Sequence, residues 1–128
     1  MDINLIAIPA IELHWTDWYV WERLTLDARI DPNSVTPPNV SGVYEVRLNH
    51  QDERLTIGKA ANLRRRVKQG LVKGKMPHSS GKDIRAHEDT TQIVIRWAET
   101  DRPAAVEEEL HRRHKEIFGR LPKYTDRT

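Results

Sequence analysis

Apolar and polar positions alternate along Gly42-Val43-Tyr44-Glu45-Val46-Arg47-Leu48, the signature of a half-buried strand. Asn49-His50-Gln51-Asp52 follows as a turn, and Arg54-Leu55-Thr56-Ile57 as a second strand ended by Gly58. So short a connection predicts an antiparallel hairpin. The period then changes. Leu63, Val67 and Leu71 recur every four positions, which predicts a helix from Asn62 to Leu71 with one apolar stripe. Arg66 sits beside that stripe and Arg65 on the opposite face. Gly70 and Gly74 loosen the end, residues 72–82 read as a basic loop, and Lys82 to His87 as a short helix. Thr91 to Ala98 is β-branched and aromatic, a third strand. Thr100 or Asp101 caps the next helix, with Pro103 in its first turn. That helix runs from about Arg102 to Phe118 on a stripe of Val106, Leu110, Ile117 and marginally Phe118, and Gly119 terminates it. Leu121 to Tyr124 forms a tail able to pack back. The order β-β-α-(α)-β-α predicts an α+β fold, a small antiparallel three-stranded sheet flanked by helices.

Ahead of the hairpin lie Trp15, Trp18, Tyr19, Trp21, Leu24 and Leu26, then three prolines within residues 31–39. About 30 residues cannot bury such rings alone. Residues 1–40 are therefore expected to form an aromatic-rich extension packed on a core of residues 41–128. Core packing accounts for these rings more simply than base stacking does. The 128 residues suit one domain. With no cysteine, disulfides, thiolate metal sites and a cysteine nucleophile are excluded. No stretch approaches the roughly 20 apolar residues of a membrane span, and Met1 to Leu5 lacks the basic start of a signal peptide. A cytoplasmic protein with no membrane partner is expected.

Charge changes the picture once it is divided along the chain. The whole chain carries +2. Residues 59–85 hold nine basic residues (Lys59, Arg64, Arg65, Arg66, Lys68, Lys73, Lys75, Lys82 and Arg85) against the single acid Asp83, a net +8. Basicity so concentrated is the footprint of a polyanion binder, and these nine are the candidate nucleic-acid contacts.

Gly42-Val43-Tyr44 in the first strand, Thr56-Ile57-Gly58 ending the second, and Lys59-Ala60-Ala61-Asn62-Leu63-Arg64-Arg65-Arg66 behind them form a pattern that resembles the GIY-YIG nuclease family. The resemblance covers about Ser41 to Tyr124, and the run from Ile57 to Arg66 is its most specific part. It implies a metal-dependent endonuclease that hydrolyses phosphodiester bonds in DNA. Carried over residue by residue, it makes Tyr44 the base that activates water, Arg66 the essential helix arginine, and Lys59 an assisting cation that lowers the phenol's pKa or contacts phosphate. It also implies one glutamate on a later helix that holds Mg2+ or Mn2+. Glu107, Glu108 and Glu109 are the candidates, and the family's spacing from glutamate to leucine selects Glu107 with Leu110. Helical phase excludes Glu108 and leaves Glu107 and Glu109 at about 80° on either flank of the apolar stripe, with Phe118 tipping the choice toward Glu107.

Such a site is chemically coherent. A hard cation needs few protein oxygens. Arginine binds phosphate through a planar fork. Two positions depart from the family: Thr56 stands at the second tyrosine, and Thr125 where an asparagine often closes the domain. Threonine hydrogen-bonds but has no titratable phenol. His78, in the basic loop, is a candidate substitute. His111 and His114 follow Glu107 by four and seven residues, so a Glu/His metal pair is a second option and solvent-edge histidines the plainer one. Two alternative functions remain open at this stage: a catalytically impaired nucleic-acid-binding module of the same fold, and a basic protein-interaction domain. The residues also leave open single- or double-stranded DNA or RNA as partner, and a monomer or a homodimer.

Overall fold

Valine, tyrosine and isoleucine spaced by charged residues place strands at the middle of the chain, and the computed structural model shows how they associate. It describes residues 11–24, 35–67 and 80–125. The strands are β1 (Tyr19–Val20), β2 (Gly42–Leu48), β3 (Arg54–Ala60) and β4 (Ile93–Glu99). The helices are α1 (Leu63–Arg66), α2 (Ser80–His87) and α3 (Pro103–Phe118), and short 3-10 turns cover Trp21–Arg23 and Thr90–Gln92. The architecture is α+β. The sheet is antiparallel with order β1-β4-β2-β3. It has four strands, which corrects the three-stranded expectation. The additional strand comes from the aromatic extension, where Tyr19 pairs with Ile95 and Val20 with Val94. Two residues are too few to produce a periodic signal.

Other boundaries shift for identifiable reasons. β3 continues through Gly58 to Ala60, because Gly58 still pairs with Tyr44 and Ala60 with Gly42. The strand expected from Thr91 starts at Ile93, after the 3-10 turn that Asp89 caps by accepting from the Thr91 N–H. α2 starts at Ser80 rather than Lys82. Of the helix expected over 62–71, α1 covers Leu63–Arg66 with Asn62 as its N-cap; Lys68 onward lies outside the described residues. α3 begins at Pro103, and its N-cap residue Arg102 makes no side-chain cap. Thr100 Oγ1 instead accepts from the Arg102 N–H at 3.1 Å. Gly119, at φ 76°, ends α3 in the left-handed conformation that glycine adopts without strain.

The two faces of the sheet have different roles. Tyr44, Val46, Ile93, Ile95 and Trp97 join Leu63, Val67, Ile84 and Trp21 in the main core, with Tyr124 from the tail packed against it. Val43 and Ala98 lie on the opposite face and pack with Val106, Leu110, Leu13 and Trp15. On that second face Glu45 is buried, joined to Arg96 at 2.5 Å and to Arg54 at 3.3 Å. The Arg96 guanidinium lies over the rings of both Trp15 and Trp18. Among the described residues, no helix is long and apolar enough to cross a membrane.

The stripe expected on α3 is wrong at one end. Val106 is buried and Leu110 half-buried, but Ile117 is 73% exposed. His111 and His114 are buried in its place, which also corrects their reading as solvent-edge histidines. The reason is the surface that α3 meets: it packs chiefly along β3, an edge strand whose backbone still needs hydrogen-bond partners.

Candidate active site

Tyr44 starts from the middle of the sheet and reaches its edge. It pairs with Gly58 on β3, and its ring crosses that glycine. A Cβ at Gly58 would lie 2.2 Å from the Tyr44 hydroxyl oxygen and 2.3 Å from Cζ. Only a residue without a side chain allows the phenol this path. Gly58→Ala is therefore expected to displace the ring. Overpacking of this kind costs about 1–3 kcal/mol. A urea denaturation curve for the variant checks it.

At the edge the phenol meets Arg66 and feels the charge of Glu107. Arg66 donates from Nε to the Tyr44 oxygen at 3.2 Å. Asn62 starts α1, accepting the Arg65 N–H at 3.0 Å, and buried Leu63 and Val67 turn Arg66 toward the sheet edge. The N-terminal N–H groups of α1 are held by the proline-rich segment, Leu63 by the Val40 carbonyl and Arg64 by that of Pro38. Glu107 comes from α3 on the other face of the sheet. Its charge acts on both partners, raising the pKa of Tyr44 and that of Arg66. Burial is the largest influence on Tyr44 and pushes its phenol above the ordinary value, while Arg66 pulls the other way. At neutral pH the phenol keeps its proton.

The same packing decides between the glutamates. Taking Val106, His111 and His114 as the buried face of α3, Glu107 lies about 30° from its centre and Glu108 and Glu109 about 130° away. Glu109 is bound instead by Arg112 and Arg113, whose hydrogen bonds hold its carboxyl down at about 2. Glu108 is exposed.

The remaining candidates are dispersed. Thr56 pairs with Val46, so it shares the Tyr44 face of the sheet, and it is buried. Lys59 pairs with Val43, which puts it by strand alternation on the α3 face, exposed. The cation that hydrogen-bonds the phenol is Arg66, so the expectation that Lys59 tunes Tyr44 is corrected. Strand alternation accounts for this, because β3 runs on past Gly58. Arg64 donates from Nε to the Pro37 carbonyl at 2.8 Å, and Arg65 is exposed on the outer side of α1. Lys82 is exposed on α2 and Arg85 half-buried there. His78, Lys68, Lys73 and Lys75 lie outside the described residues. Thr125 Oγ1 is buried without a hydrogen-bond partner among the described residues.

The donor set bears on which metal fits. His111 Nε2 donates to the Ile57 carbonyl at 3.0 Å. His114 Nε2 accepts from the Arg54 N–H at 3.3 Å, while its Nδ1 faces the Arg120 carbonyl at 2.7 Å. These bonds occupy both nitrogens of His114, which takes it out of a Glu/His pair, and Nε2 of His111. Among the described residues no group of three His, Cys, Asp or Glu side chains is placed to hold a metal. Zinc chemistry asks for three or four protein ligands and does not fit. Mg2+ or Mn2+, which keeps waters and shares substrate phosphates, fits a single carboxylate such as Glu107.

Compared with protein-family models, with curated proteins and with solved structures, the chain matches none.

Proposed function

We propose that this chain is a metal-dependent endonuclease of the GIY-YIG type that hydrolyses phosphodiester bonds in DNA. One observation carries the reading: Tyr44 and Arg66 are hydrogen-bonded at 3.2 Å, and Glu107, from the far side of the sheet, acts electrostatically on both. A phenol, a guanidinium and a carboxylate drawn from residues 44 to 107 are thus within electrostatic reach of one another, a combination suited to phosphate hydrolysis. Arg66 is exposed and presents its fork to a phosphate. Tyr44, in its phenolate form, takes a proton from the attacking water. Glu107 holds Mg2+ or Mn2+, which supplies Lewis acidity toward a phosphate oxygen. Arg65 on α1, Lys82 and Arg85 on α2, and exposed Lys59 on the α3 side supply positive charge that follows the nucleic-acid backbone.

Glu107→Ala tests the site. Labelled single- and double-stranded DNA is incubated with Mg2+ or Mn2+, beside an EDTA control. The parent is expected to cleave and the variant to lose at least about 100-fold in rate, the usual scale for removing one group that stabilises transition-state charge. Equal cleavage by the variant would remove Glu107 from the site.

Burial of Thr56 favours a second reading. No phenol can stand at that position without rebuilding the core, so the fold could serve as a binding module lacking turnover. That version predicts DNA binding whose log affinity falls linearly with log salt, and no cleavage under any metal.

A further inference from the structure

β3 is the edge strand, and its outward backbone groups are met by side chains and tail instead of a neighbouring strand. Arg54 N–H donates to His114 Nε2, the Leu55 carbonyl accepts from the Tyr124 N–H at 2.8 Å, and the Ile57 carbonyl accepts from His111 Nε2. The two histidines have opposite roles. His111 acts as a donor toward the strand. His114 acts as an acceptor, with its proton on Nδ1 facing the Arg120 carbonyl. A donor and an acceptor three residues of helix apart, His111 four residues after Glu107 and His114 four before Phe118, fix α3 along β3 in a single register. Sliding α3 by one residue puts a charged or aliphatic side chain against each of those backbone groups.

We propose that His111 and His114 form a register clamp in which His111 is the positioning residue for Glu107. The inference rests on the nuclease reading above and adds what places the carboxylate. His111 lies one helical turn beyond Glu107, so the two share a side of α3. Its partner Ile57 precedes Gly58, the residue over which the Tyr44 phenol lies. The bond from His111 to Ile57 thus ties the turn that carries Glu107 to the strand position that carries the phenol. Val106 packing on Val43 and Ala98 holds the helix against the sheet but imposes no register on its own, since apolar contact is non-directional. The exposed ion pairs of Glu109 with Arg112 and Arg113 lie within the helix and do not touch the strand.

The experiment compares His111→Leu, which keeps bulk and loses the donor, with His111→Gln, which keeps an N–H. Cleavage is measured as kcat and as the Mn2+ concentration for half-maximal rate, in the parent and in a Glu107→Gln background. Tautomers are read by 15N NMR of the imidazoles, and the Arg54 amide by hydrogen exchange. The expected result is at least a tenfold loss in kcat or a tenfold weaker Mn2+ dependence for His111→Leu, substantial recovery for His111→Gln, and no further loss from His111→Leu once Glu107 is glutamine. A residue that merely stabilises the fold would lower activity equally in both backgrounds. Unchanged kinetics in His111→Leu overturns the positioning role. If the parent cleaves no nucleic acid under any metal, the nuclease reading fails separately, and NMR decides the clamp. A His114 proton on Nδ1 and a slowly exchanging Arg54 amide support it; a proton on Nε2 or fast exchange overturns it.

Discussion

Arg66→Ala is expected to lower the cleavage rate by about 10²–10³-fold, the scale found when one preorganised charge-stabilising donor is removed from a reaction centre. Two effects act together. The exposed guanidinium no longer reaches the phosphate, and the phenol loses its hydrogen-bond donor at 3.2 Å. The second effect gives the variant a signature in pH. Burial raises the Tyr44 pKa and Arg66 lowers it. Removing Arg66 therefore raises it further, and the phenolate becomes scarcer at any given pH. In the parent, log rate is expected to climb with pH across the neutral and mildly alkaline range, because the reactive phenolate is still a minority there. In Arg66→Ala the climb extends to higher pH. Arg66→Lys restores charge without the planar fork and is expected to recover only part of the rate. The measurement is single-turnover cleavage of labelled DNA from neutral to alkaline pH. A profile identical in parent and Arg66→Ala would separate Arg66 from the phenol and remove Tyr44 as the base.

How far this site was legible from residues alone depends on what each position needed. That Tyr44 lies on a strand and Arg66 beside the stripe of a helix was readable from a two-residue alternation and a four-residue period, whereas their proposed roles came from the resemblance alone. The choice between Glu107 and Glu109 was nearly balanced because the apolar stripe was drawn through Ile117, which is exposed, and missed His111 and His114, which are buried. Hydropathy cannot reveal a histidine buried by bonding a neighbouring strand's backbone. A signal was nonetheless present: both histidines lie at helical spacing from Glu107. Lys59 was misplaced for a related reason. Gly58 was read as the end of a strand, and pairing with Tyr44 carries the strand beyond it. β1 was invisible because two residues make no period. The buried Glu45 was legible only as a polar position in an alternating strand, since its partners come from β3 and β4.

Glu45→Ala is expected to be the most damaging single change to stability, about 3–5 kcal/mol, the cost of removing one partner of a buried ion pair. Glu45 is 5% exposed and lies between Arg96, at 2.5 Å, and Arg54, at 3.3 Å. It is the one carboxylate ion-paired to these arginines among the described residues. The same sheet face also carries Arg47, whose Nη1 is met only by carbonyl oxygens, those of Leu48, Asn49 and Gln51. Arg54 already feels this environment: burial pushes its pKa down, and Glu45 is the first opposing influence. Without the carboxylate, two guanidinium groups under Trp15 and Trp18 retain charge but lose their counter-ion. Both side chains are only about a fifth exposed, so water replaces the carboxylate fully only if the tryptophans lift away. The loss is therefore expected to spread to the extension, loosening the Trp15 and Trp18 contacts that Arg96 makes with both rings. Glu109→Ala provides the contrast. Its ion pairs with Arg112 and Arg113 lie in solvent, where screening leaves little to lose, and no measurable change in unfolding is expected. Urea denaturation followed by tryptophan fluorescence compares the two variants with the parent. Equal midpoints for Glu45→Ala and the parent would mean that the packing of Trp15 and Trp18, and not the ion pair, secures the extension to the sheet.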